Sequence, residues 1–146
     1  MKNEKDPNGL DQHAPGAKVD AGKNELNLIM SYMSRALWEV GIVGTTGAAK
    51  YTRGGWQKVE EGERRYRDAL YRHLLKSYTE DYDPDSGLSH LAHAAWNALA
   101  ILELDCRRRE QENAPLFTED FDIDKAYHDA MQQYLTQADS DDGVVR

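Results

Sequence analysis

Apolar residues recur along the chain at helical spacing, in four runs separated by polar or glycine-rich stretches. Leu26, Ile29, Met30, Met33, Ala36, Leu37 and Val40 sit three and four apart, the repeat that lines one face of an α-helix. A first helix is expected from about Leu26 to Val40 with that stripe buried, and Gly41, Gly44 and Gly47 are expected to loosen the chain after it. Tyr66, Ala69, Leu70, His73 and Leu74 form a second stripe, on a helix from near Glu61 to Ser77 or Tyr78. Glu60, Glu61 and Glu63 favour its N-terminus through the helix dipole. The third helix, Gly87 to about Arg109, is apolar nearly all round. Leu88, Leu91, Ala95, Leu99 and Leu102 lie on one side, and His90, His93, Ala94, Asn97, Ile101 and Leu104 on the other. A helix of that kind needs cover from several neighbours, and a second subunit can supply some of it. Asp124 to Gln137 reads as a short final helix with Tyr127, Met131 and Tyr134 inward.

The connections fit this reading. Thr79 to Gly87 is a turn, since Pro84 and Gly87 end regular structure, and Asp85 or Ser86 is expected to cap the helix that follows. Lys50 to Lys58 is a loop in which basic and aromatic residues alternate around Gly54-Gly55. Glu110 to Asp122 is a polar link. The expectation is an all-α bundle of about four helices, completed by homo-oligomerisation. Residues 1–24 form a flexible arm broken by Pro7, Gly9, Pro15, Gly16 and Gly22. Residues 25–137 form one helical domain, and 138–146 a loose acidic tail.

Charge and cysteine content narrow the partners. With 26 acidic against 18 basic residues the formal charge is -8, the wrong sign for nonspecific grip on phosphate backbones. No nucleic-acid partner is expected, although a basic pocket for one nucleotide remains compatible with an acidic body. Cys106 is the single cysteine, so neither an intrachain disulfide nor a four-cysteine zinc site can form. Chains of this size without cross-links suit a reducing cytoplasm. Residues 1–25 hold no apolar run, so no signal peptide is expected, and nothing approaches the roughly 20 apolar residues of a membrane span.

Candidate chemistry gathers in the middle of the sequence. His90 and His93 are three apart and share a helix face, joined a turn later by Asn97. The preceding turn carries Glu80, Asp81, Asp83 and Asp85, and His73 lies on the second helix's stripe. Three of the five histidines and four carboxylates thus fall between positions 73 and 93, on two helices that a short turn makes antiparallel. Imidazoles and carboxylates together suit a divalent cation or a general acid–base pair. The alternative is structural: a satisfied core histidine, and turn residues that cap backbone. Trp56 either stacks on a base or folds back as a lid on the core, with Lys50, Arg53 and Lys58 on phosphates or in solvent. Arg72 is a phosphate clamp or an ion-pair partner of a turn carboxylate.

Certain segments carry a family resemblance. They are Lys18-Val19-Asp20-Ala21-Gly22-Lys23, Gly47-Ala48-Ala49-Lys50-Tyr51 with Trp56, Arg72-His73-Leu74, and Asp83-Pro84-Asp85-Ser86-Gly87-Leu88 running into His90 to Leu99. Their order and spacing resemble the phage dATP/dGTP diphosphohydrolase N-terminal-domain family, which is similar to the MazG-like all-α nucleotide pyrophosphohydrolases. The resemblance covers about residues 18–105. It implies a MazG-like fold and hydrolysis of a purine deoxynucleoside triphosphate, dGTP or dATP, to the monophosphate and pyrophosphate with Mg²⁺ or Mn²⁺. It also implies a place in phage nucleotide metabolism, in the cytoplasm of an infected bacterium.

On this reading Glu80, Asp83 and His73 are the catalytic candidates, and Glu80, Asp83, His90 and His93 the metal candidates. Lys23, Lys50 and Arg72 are assigned to phosphates, and Trp56 and Asn97 to base or sugar. The chain departs from the relatives in one respect. MazG-like enzymes typically hold metal with an E-x-x-E pair on one helix and an E-x-x-D pair on the next, whereas the second position here is His90-x-x-His93. A nucleotide-binding protein that sequesters a nucleotide signal without hydrolysing it is therefore the alternative, and a helical oligomer with no small-molecule site a third.

Overall fold

The computed structural model describes residues 6–115 and Lys125. The chain divides into two compact units, Met1–Glu25 with Phe117–Arg146, and Leu26–Leu116. In the first unit, the Asp6 carboxylate gathers its own loop by accepting the backbone N–H groups of Asn8 at 2.8 Å and Lys18 at 2.8 Å. The expected final helix at 124–137 and the tail at 138–146 lie outside the described residues.

The second unit is all-α. It comprises α1 (Asn27–Tyr32), α2 (Ser34–Lys50), a short 3₁₀ turn (Gly55–Lys58), α3 (Gly62–Lys76) and α4 (His90–Gln111). The most extensive packing joins α3 to α4, and α2 lies against α4 as well. Gly62 faces Leu104 while His73 meets His90, so α3 and α4 run antiparallel, as the short turn between them requires. No described helix is long and apolar enough to cross a membrane.

Four expectations are corrected. The first helix is interrupted at Met33 and then continues to Lys50, through the glycines expected to loosen it. A packing reason is visible at Gly44, where an added Cβ would stand 3.0 Å from the Trp96 indole nitrogen. A side chain there would push α2 off α4, so Gly44 serves close approach of two helices. The stripe expected to be buried on the first helix is not. Leu26, Ile29, Met30, Met33 and Ala36 are exposed, Leu26 by 70%, and only Leu37 and Val40 are half-buried. Burial is reached only further along, at Val43, next to the close approach of Gly44 to Trp96. The helix expected to begin at Gly87 is α4 and starts at His90, and its cap is Ser89, whose hydroxyl accepts the N–H of Ala92. Ser86, expected to do this, is engaged with Asp83 instead. Finally, α4 is covered on one side alone. Ala92, Ala94, Asn97 and Ala100 are buried, while Leu91, Leu99 and Leu102 are at least half exposed.

Small residues dominate what is buried, so the helices approach closely but remove little apolar surface from water. The larger packing element is aromatic. Trp56, Tyr66 and Trp96 meet pairwise edge to face, with centroids 5.8–6.4 Å apart. The Tyr66 hydroxyl donates to the Trp56 carbonyl at 2.7 Å. This cluster ties the 3₁₀ turn to α3 and α4.

Candidate functional site

Between Tyr82 and Ser89 the chain closes a small loop. These two residues form an isolated antiparallel bridge. Inside it the Asp83 N–H donates to the Leu88 carbonyl at 2.8 Å, and the Gly87 N–H to the Asp83 carbonyl at 2.7 Å. Gly87 has φ +70°, a left-handed conformation that glycine adopts without strain. Outside the bridge the His90 N–H donates to the Asp81 carbonyl at 3.0 Å. The loop therefore delivers Asp83 and Ser86 directly over the first turns of α4.

His73, Asp83 and His90 converge there: one possible ligand atom from each lies within 4.8 Å of the other two. The Nδ1 atoms of His73 and His90 are 2.9 Å apart. His90 is fully buried, and its Nε2 has no hydrogen-bond partner, although the Glu80 carboxylate stands 3.3 Å away. The separation is short enough for attraction, but the alignment is wrong for a hydrogen bond. Glu80 Oε1 is also 3.4 Å from the Lys76 ammonium. His93 stacks on His73, with centroids 4.4 Å apart and planes 9° from parallel.

Asp83 takes two hydrogen bonds from Ser86, one from its hydroxyl at 2.8 Å and one from its N–H at 3.1 Å. Burial pulls the carboxyl pKa up, but the Ser86 bonds and the nearby His73 and His93 outweigh it and leave Asp83 below the ordinary carboxylate range. A hydroxyl has one proton, and here an ionised Asp83 holds it. Ser86 Oγ, 2.9 Å from His93 Nε2, must then accept from that nitrogen. His93 Nε2 thus carries hydrogen and has no lone pair for a metal.

Burial pulls His73 down to about 4, with help from the adjoining His93 and against the pull of Asp83. His93 is lowered by burial also, opposed by Asp83. Both rings are neutral at physiological pH. The donor set of His73, Asp83 and His90 is two imidazoles and one carboxylate. This set fits Mn²⁺ and its heavier neighbours, and fits Mg²⁺ poorly, since Mg²⁺ prefers oxygen ligands. The His73 and His90 Nδ1 atoms face one another at this centre, while the unpartnered His90 Nε2 faces Glu80.

The other residues singled out in the sequence are placed apart from this convergence or tied to it indirectly. Asn97 is buried, and its side-chain amide donates to the His93 carbonyl at 2.8 Å. Trp56 belongs to the aromatic cluster, with the Arg107 guanidinium 6.0 Å from its ring. Lys50 ends α2 with its ammonium 5.3 Å from the Tyr51 ring. Arg72 is exposed on α3 beside His73. Lys23 lies in the first compact unit. Sequence reasoning missed Ser86 as the residue that binds both Asp83 and His93. Its position seven before His93, across a Gly-containing turn, was the available signal.

Fold and site together define an all-α protein with a histidine–carboxylate centre between two antiparallel helices. Residues 13–114 match the family described as dATP/dGTP diphosphohydrolase, N-terminal, and the chain belongs to that family. It is similar to the dATP/dGTP diphosphohydrolase of Salmonella phage PMBT28, with 39% identity over 92 residues, which is 61% of this chain and 29% of the phage protein. The chain therefore spans less than a third of that relative's length. No solved structure matches it.

Proposed function

We propose that the chain hydrolyses purine deoxynucleoside triphosphates, dGTP or dATP, to the monophosphate and pyrophosphate, as a homo-oligomer in phage nucleotide metabolism within the bacterial cytoplasm. The observation that carries this is the convergence of His73, Asp83 and His90 in a member of a family named for dATP and dGTP diphosphohydrolysis. In the reaction, water adds to the α-phosphorus, the bond to the bridging oxygen breaks, and pyrophosphate leaves. A divalent cation, Mg²⁺ or Mn²⁺ by resemblance and Mn²⁺ by donor set, would be held by His73, Asp83 and His90. When bound it would activate water and offset phosphate charge.

The protein's own groups prepare this centre. Ser86 fixes Asp83 in its ionised form and sets the His93 tautomer, and the His93 ring holds the plane of His73 by stacking. Arg72, exposed beside His73, supplies positive charge for the phosphate chain, and Lys50 offers a second cation on the same compact unit.

The test is incubation of the pure protein with each deoxynucleoside triphosphate and Mg²⁺ or Mn²⁺, followed by product identification. Asp83→Asn is expected to abolish pyrophosphate release while nucleotide binding survives. The replacement of an acidic pair by His90 and His93 favours one other reading, a protein that binds a nucleotide signal without hydrolysis. Tight nucleotide binding with no product under any of these cations would sink the first reading in favour of the second.

A further inference from the structure

The donor geometry and the loop hydrogen bonds lead beyond the cation expected from the family. We infer that His73, His90 and Asp83 form a two-histidine, one-carboxylate site for a borderline transition cation of the Mn²⁺ to Zn²⁺ series in preference to Mg²⁺. Glu80 acts on His90 and not on the cation. The inference deepens the functional reading above and rests on it for the cation's role in turnover.

Three observations carry it. The His73 and His90 Nδ1 atoms are 2.9 Å apart. Imidazole nitrogens that share one cation each lie about 2.1 Å from it, so a separation of about 3 Å is one that a single cation would bridge. Asp83 offers its oxygen to the same spot and, bonded twice by Ser86, is held there before any cation arrives. The far nitrogen of His90 is fully buried, unpartnered, and 3.3 Å from a Glu80 oxygen. A histidine that ligates through one nitrogen commonly donates the other N–H to a carboxylate, which fixes the ring and raises its basicity. Glu80 is the carboxylate within reach of that nitrogen, and a small turn of its side chain would bring it into hydrogen-bond alignment. His93 is outside the set because the close group of ligand atoms comprises His73, Asp83 and His90, while the His93 Nε2 is held by Ser86. Two imidazoles select against Mg²⁺, which sheds water reluctantly and favours oxygen donors.

The test uses the full-length protein stripped of metal by chelation and titrated with Co²⁺, whose visible absorption reports ligation without nucleotide. One equivalent is expected to bind, and a thousandfold excess of Mg²⁺ should leave the spectrum in place. His73→Ala and Asp83→Ala, each checked for helicity by circular dichroism, should lose the band. Glu80→Gln should keep the stoichiometry while weakening affinity about 10–100-fold. No stoichiometric Co²⁺ binding, displacement by Mg²⁺, or an unaltered band in folded His73→Ala would overturn the site. Unchanged affinity in Glu80→Gln, or complete loss, would overturn the role given to Glu80. Co²⁺ binding without hydrolysis would count against the proposed function alone, and hydrolysis with Mg²⁺ but no Co²⁺ binding would count against this site alone.

Discussion

His73 and His90 face each other through like nitrogens, Nδ1 to Nδ1 at 2.9 Å, so without a cation between them one carries the hydrogen and the other the lone pair. Protonating both would set two N–H groups against each other beside a buried ring. The lowering of His73 to about 4 follows from burial and from the His93 imidazole stacked on it.

This has a consequence for stability against pH. His73 titrates near 4 when folded and near 6.5 when unfolded. Between those values the unfolded chain binds more protons, so stability rises with pH there. The contribution is complete above about pH 6.5 and is lost as the pH falls toward 4. The melting temperature of chelator-treated protein is expected to drop between pH 7 and pH 5 more steeply than that of His73→Asn. Parallel slopes would show that another group governs the acid limb.

Trp56 is expected to matter first for folding. Its ring meets Tyr66 and Trp96 edge to face, and its carbonyl accepts the Tyr66 hydroxyl. Trp56→Ala should cost about 2–4 kcal/mol in urea unfolding, and Trp56→Phe clearly less. An alanine variant with unaltered stability and weakened nucleotide binding would give the ring to the substrate instead.

The glycines of α2 should respond oppositely to substitution. Gly44→Val places atoms against the Trp96 indole and is expected to destabilise by about 1–3 kcal/mol. Gly41 and Gly47 have nothing within 4 Å of an added Cβ. Alanine at either should stabilise by up to about 1 kcal/mol, since it only removes backbone freedom from the unfolded chain. Denaturation midpoints of the three variants decide this.

Assembly gives a further prediction. Leu91, Leu99 and Leu102 leave one side of α4 apolar and uncovered, and Leu28, Met30 and Trp38 add to the exposed apolar surface of the unit. Light scattering should return the mass of a dimer or larger at micromolar concentration, and Leu99→Glu should lower it. A monomeric wild type would leave these side chains to another partner.

The helices, and the grouping of His73, Asp83 and His90, were legible because both rest on local spacing. The stripe on α3 and the pair His90 and His93 need only the 3.6-residue repeat to be placed on common faces. What escaped was set by contacts distant in sequence. The use of Gly44 inside α2 rests on Trp96, more than 45 positions away, and no local propensity announces it. The exposure of Leu26, Met30 and Met33 depends on where the seam with α4 begins, and periodicity identifies an apolar face but not what covers it. Within the site, spacing grouped the imidazoles and carboxylates but could not distinguish His93 from the other two. That difference lies in where the Tyr82–Ser89 loop closes, with Asp83 near His73 and His90 and Ser86 on His93, which only the fold reveals.

The bridge between Tyr82 and Ser89 also gives the centre a clock. The amides of Asp83, Gly87 and His90 are held by carbonyls within or next to this one loop. Freeing Asp83 from its place thus means breaking several of those bonds together. Deuterium entering these amides from solvent would consequently arrive as one event, and its rate would count how often the centre comes apart. Anything that ties Asp83 down should slow all three labels in step, while amides of the Lys50–Lys58 connection keep their own pace.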